Sequence, residues 1–154
     1  MNLPSQLAKH FREVCFGGNW TDVNMKDSLA GITWQQATTK IHKLNTIAAL
    51  VYHINYYVRA CLMVLEGKAL EASDKYSFDL PPVNTQKDWD ELLEQCRADA
   101  EKFASMVEQL PESKLWDDFS GNKYGNFYRN IQGIIEHTHY HLGQIVLIKK
   151  MILQ

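Results

Sequence analysis

No unbroken apolar run in this chain, Ile47 to Tyr52 included, exceeds six residues, far short of the ~20 a helix needs to span a bilayer. The start, Met1-Asn2-Leu3-Pro4-Ser5-Gln6, lacks the basic flank and apolar stretch of a secretory signal. No membrane partner is therefore expected, and a cytoplasmic location is. An excess of one charge is also missing. The 16 Lys+Arg and 18 Asp+Glu leave a formal charge of −2, without long blocks of one sign, so phosphate-driven binding of nucleic acid has no electrostatic support. Cysteine is scarce and odd in number: Cys15, Cys61 and Cys96 fit neither a disulfide framework nor a CxxC metal or redox motif. Reduced thiols packed as small hydrophobes are expected. No internal repeat, low-complexity tract or strong strand alternation is visible.

What the chain does contain is helical periodicity. At 154 residues a single domain over 1–154 is expected, burying roughly 68–70% of its extended-chain surface. Apolar positions recur at helical spacing in four long segments. The first, Leu3 to Cys15, is opened by Pro4 and Ser5 and closed by Gly17-Gly18. The second runs from about Leu44 to Glu66, with Ile47, Leu50, Val51, Ile54, Val58, Cys61, Leu62 and Leu65 as one broad stripe and Gly67 at the capping position. The third, about Gln86 to Gln109, stops before Pro111, and the fourth, Asn126 to Leu153, has no internal proline. A shorter helix is expected from Trp34 to Lys40, with Thr33 as its N-cap.

These segments predict an all-α four-helix bundle. The stretch from Lys68 to Thr85, which includes Pro81-Pro82, is far longer than the two to eight residues usual between neighbouring antiparallel helices. Fully extended it reaches roughly 60 Å, about twice the length of a 20-residue helix. The second and third long helices can therefore run parallel, which predicts up-down-down-up topology.

The chemistry-bearing residues are histidines. His137 and His141 lie four apart in an otherwise apolar helical segment; a four-residue step turns a helix by roughly 40°, so both project from one face, a turn apart. His53 sits in the second long segment. A lone histidine on an apolar helix face is more often a core residue satisfied by one hydrogen bond. Two side by side need partners for up to four ring nitrogens, and a metal ion supplies two at once. Three neutral imidazoles with an open fourth position are the ligand set of catalytic zinc sites. His139 is turned about 200° from His137 and faces away, while His10 and His42 are expected at surface or capping positions. Gln144 shares the pair's face, where it orients a ligand or is a plain buried amide. Tyr56 and Tyr57 follow His53 by a turn, to line a pocket or to pack. Gly143 is expected to let another helix pack closely, and Trp20, Trp34, Trp89 and Trp116 are expected as core or interface anchors.

His137-Thr-His-Tyr-His141-Leu-Gly-Gln144-Ile, together with Leu50-Val-Tyr-His53-Ile-Asn-Tyr-Tyr, resembles the DinB-like (damage-inducible) superfamily of metal-binding four-helix bundles, related to the bacillithiol- and mycothiol-dependent transferases. The likeness covers essentially the whole chain. It implies an up-down-down-up bundle, His53, His137 and His141 as the triad for a divalent metal, zinc or nickel, and a homodimer. It also implies transfer of a low-molecular-weight thiol to a small-molecule electrophile. Where many relatives carry Arg directly after the last metal histidine, this chain has Leu142, and no basic cluster for an anionic thiol is recognisable near the histidines. Two other functions are open at this point: a metal-dependent hydrolase that activates water, and a non-catalytic metal-binding or stress-response interaction module.

Overall fold

The computed structural model describes residues 2–153. It is all-α, with no named strand among the described residues. Six α-helices are present: α1 (Leu3–Phe16), α2 (Met25–Leu29), α3 (Trp34–Thr38), α4 (Ile47–Leu65), α5 (Gln86–Glu108) and α6 (Phe127–Ile152), with single 3₁₀ turns at Asp74–Tyr76 and Glu112–Trp116.

Each long helix begins where a side chain can receive an orphan backbone N–H. The Asn2, Thr46, Thr85 and Asn126 side chains accept from Ser5, Ala49, Asp88 and Arg129 respectively. Thr85 and Asp88 form a reciprocal capping box. The cap at Thr46 explains why α4 starts at Ile47 rather than at Leu44: the hydroxyl stops the helix there, and Leu44 is left exposed. α1 ends at Gly17, whose φ of 117° is a conformation that side chains rarely adopt. The five-residue α2, capped by Asn24, escapes sequence reading because it is too short to show a period.

The long helices pack through their apolar stripes. α1 and α4 each pack against both α5 and α6. Seven of the eight stripe residues of α4 are buried, from Ile47 to Leu62, and Leu65 is half-buried. One part of the core gathers around Phe11 of α1 and Phe103 of α5, whose rings meet edge to face with centroids 4.8 Å apart. The other gathers around Trp89, Leu50 and Ile145. Trp89 is fully buried, and its indole N–H donates to the Ile32 carbonyl at 2.9 Å, which ties the segment before α3 to α5. Polar contacts set the relative placement of the helices: the Leu3 N–H donates to Glu112, Arg12 pairs with Glu101 and Glu108, and Asn55 donates to Asp99.

α4 is long and apolar enough, by length and composition, to cross a membrane; 67% of its most apolar window is buried among the other helices. The three cysteines are free thiols, Cys15 and Cys61 buried and Cys96 half-buried, and burial pushes each up to about 12, as inert packing groups require.

Two expectations are corrected. Trp20 is fully exposed and Trp116 is 58% exposed, so of the two expected roles, core or interface anchor, the core one is overturned for both; Trp20 lies in the turn after α1, and Trp116 lies against Tyr128 on the surface. Nor does a helix approach closely at Gly143, where an added Cβ would meet nothing within 4 Å. A glycine inside a helix with free space around it costs stability through backbone entropy alone. Gly143→Ala is expected to stabilise the fold by about 0.5–1 kcal/mol, read as a higher urea midpoint at unchanged slope.

A candidate metal centre between α4 and α6

α4 and α6 meet at the three histidines. The Nε2 of His137 lies 3.1 Å from that of His53 and 3.1 Å from that of His141, and one ligand nitrogen from each residue lies within 4.8 Å of the others. His53 and His141 are buried, each 8% exposed, and His137 is half-buried. The four-residue offset in α6 places His137 and His141 a turn apart as the sequence predicts, and His53 faces them from α4.

The outer ring nitrogens determine what the inner ones offer. A carbonyl only accepts, so the contact of His53 Nδ1 with the Ser77 carbonyl at 3.3 Å places the proton on Nδ1. The contact of His141 Nδ1 with Gln144 Oε1 at 2.7 Å does the same. Both Nε2 atoms then present lone pairs to the same point. His137 Nε2 could carry a proton toward one of them but not satisfy both. Three imidazole nitrogens so aimed match a cation better than one another. Tetrahedral zinc with bonds of 2.0–2.1 Å spaces its ligands about 3.3–3.4 Å apart, close to the observed 3.1 Å. The donor set fits a divalent ion.

Electrostatics agree. Burial, and then repulsion from His141 and His53, push His137 down to about 4, and burial followed by His141 lowers His53. At neutral pH these two rings are neutral bases, the form a metal requires. The walls are aromatic: Phe78 stacks on His53 with centroids 3.9 Å apart and planes within 9°, and Tyr57 presents its ring edge to edge-on contacts with both His53 and His137. The Tyr57 hydroxyl donates to Asp74, while Tyr56 bonds the Ser73 backbone. Both tyrosines therefore fasten the connection between α4 and α5 to α4, and Tyr57 alone touches the histidines.

His139 points away as expected, toward His10 of α1 with ring centroids 6.0 Å apart. His10 and His42 stay outside the site. Sequence reasoning missed Ser77 and Phe78, which no periodicity marks because a loop delivers them. It also missed Lys123 and Arg129, which line a cleft of about 910 Å³ opening at His137.

Fold and site together define an all-α protein with a three-histidine cluster that could hold a metal ion. The chain belongs to the DinB superfamily, whose sequence profile matches residues 24–145. No curated protein and no solved structure matches the chain.

A pH dependence follows from the two lowered histidines. Their folded pKa lies below the unfolded value of about 6.5, so acid favours the unfolded chain, which takes up protons first. Stability of the metal-free protein is full above about 6.5 and falls as pH drops toward about 4, the folded value of His137. Melting temperatures across that range should fall less steeply for His137→Asn than for the wild type.

Proposed function

We propose that this protein is a divalent-metal-dependent thiol S-transferase, with His53, His137 and His141 as the ligands of zinc or nickel and a small electrophile as substrate. The observation that carries the reading is the convergence of three Nε2 atoms at 3.1 Å contacts with two of the outer N–H groups already committed. A divalent ion at that point would lower the pKa of a coordinated thiol enough to hold it as thiolate at neutral pH. Three protein ligands would leave a divalent ion with a coordination position for substrate, as in catalytic rather than structural sites.

The chain's own groups supply orientation and exclusion. Gln144 and the Ser77 carbonyl hold two imidazoles in the required tautomer. Phe78 and Tyr57 cover the rings and narrow the approach for water. The sulfur gives its electron pair to the electrophilic carbon, the leaving group departs with its own pair, and the thiol proton is lost to solvent.

The same proposal includes an up-down-down-up four-helix bundle. Its support lies in contacts that run oppositely along α1 and α5 (Leu3 with Glu112, Arg12 with Glu101), in the same sense along α4 and α5 (Asn55 with Asp99, Glu66 with Lys102), and oppositely along α4 and α6 (His53 with His141, Tyr57 with His137). It also includes a cytoplasmic homodimer without a membrane or nucleic-acid partner, and the formal charge of −2 without blocks of one sign supports the last of these.

Elemental analysis of protein purified without a nickel column tests the centre. About one ion per chain is expected in the wild type and none in His137→Ala/His141→Ala; a metal-free wild type after incubation with zinc or nickel would sink the proposal. Gln144→Ala is expected to keep the fold and weaken metal affinity by about 10- to 100-fold, read by competition with a chromogenic chelator. Given the metal, thiol conjugation to a chromogenic aryl halide should depend on His53.

A further inference from the structure

The cleft that opens at His137 runs along the first half of α6 to the turn before it, and its two ends differ in charge. Asp74 and Glu136 lie at the end near the histidines, Lys123 and Arg129 at the far end, all lining the same cavity of about 910 Å³. The chain has four arginines, at 12, 59, 97 and 129. Three are paired with carboxylates, Arg12 with Glu101 and Glu108, Arg59 with Asp99, and Arg97 with Glu94. Among the described residues Arg129 has no such partner, and the Lys123 ammonium has no carboxylate either, only the Tyr124 side chain, through its ring and a hydrogen bond.

Two glycines shape the cleft around this pair. Gly125, at φ +75°, leaves room for Arg129, whose Cδ would stand 2.9 Å from a Cβ placed there; any side chain at 125 would displace the arginine stem. Gly133 lines the cleft midway between Arg129 and His137, and a Cβ added to it would meet nothing within 4 Å. A mid-helix glycine that no neighbour requires is a cost to the helix. What it does here is keep the floor of the cleft low. Arg129, Gly133 and His137 are spaced at four-residue steps, so they form one row along α6, and the arginine lies about 12 Å from His137 along the axis.

We infer that Lys123 and Arg129 form an anion subsite that holds a carboxylate of the thiol cosubstrate, whose sulfur reaches the histidine cluster across Gly133. This inference rests on the metal-thiol reading of the cluster and names the chemical class of the thiol: anionic and peptide-sized, rather than a small neutral mercaptan. A planar arginine fork receives a carboxylate with two parallel hydrogen bonds, and the lysine adds a second charge. Asp74 and Glu136 repel a carboxylate at the inner end, which orients the molecule with its anionic group outward and its sulfur toward His53, His137 and His141.

The test uses the full-length metal-loaded protein, with S-methylglutathione and its diethyl ester as probes in calorimetric titrations. Neither can supply a thiolate, and a carboxylate held by the ion instead of the subsite would keep its preference in the double variant. S-methylglutathione is expected to bind about tenfold more tightly than the ester, and Arg129→Gln/Lys123→Gln to abolish the difference while retaining one ion per chain. Gly133→Leu, which fills the cleft floor, is expected to weaken both probes. Equal binding of the two probes, no binding of either, or a preference retained in the double variant would overturn the inference. Glutathione added to the cobalt-substituted protein reports the underlying reading separately through a sulfur-to-cobalt charge-transfer band. A missing band with the carboxylate preference intact sinks the transferase proposal and leaves the anion subsite standing; a band without the preference does the reverse.

Discussion

Three imidazole nitrogens aimed at one point in a largely buried space form the constraint on which the site depends. Those of His53 and His141 are acceptors, and a proton on His137 Nε2 serves only one of them; leaving a buried polar group without a partner costs free energy that the fold must recover elsewhere. The alternatives are a shared proton, which serves one contact of two, or a cation. The lowered basicity of His53 and His137 removes protonation as the everyday solution at neutral pH. The geometry around the histidines follows from this: backbone and amide acceptors on the outer nitrogens, aromatic rings against the ring faces, and two helices held close enough for the nitrogens to meet.

The helices are held by ordinary means. Apolar stripes on α4 and α6 form the contact, with Ile54, Val58, Ile134, Ile135 and Leu142 buried around the histidines. Leu142, directly after the last histidine of the cluster, is 2% exposed in the core. An arginine side chain at that position would have to leave the core or be paired within it. The chain instead presents its cations from Lys123 and Arg129, on the rim of the adjoining cleft.

Much of this was legible in the residues. Long helices announce themselves through period and caps, and α5 and α6 begin and end within a residue of their sequence boundaries. The HxxxH pair reads directly because a helix converts spacing into direction. His53 could be joined to it only through the bundle architecture, which sets its helix facing theirs, and the motif resemblance then named all three as one triad. Ser77, Phe78, Lys123 and Arg129 were invisible as site residues for one reason: their placement depends on where irregular chain or a neighbouring turn comes to lie, and no local pattern records that. Trp20 and Trp116 are not core anchors because size and apolarity predict burial only for residues that a helix stripe carries inward.

The connection from Lys68 to Thr85 gives the site an unequal construction. Two of its walls are helices locked into the core, whereas the third, Ser77 with Phe78, belongs to a segment in which only Ser77 and Val83 are buried and which is fastened largely by the hydroxyls of Tyr56 and Tyr57. Segments with so little buried surface open at a fraction of the free energy of global unfolding. The cover of the cluster is thereby separated from its frame: the tyrosine contacts, the Ser77 carbonyl and the Phe78 stack hold the loop over the His53 ring face, and none of them joins α4 to α6.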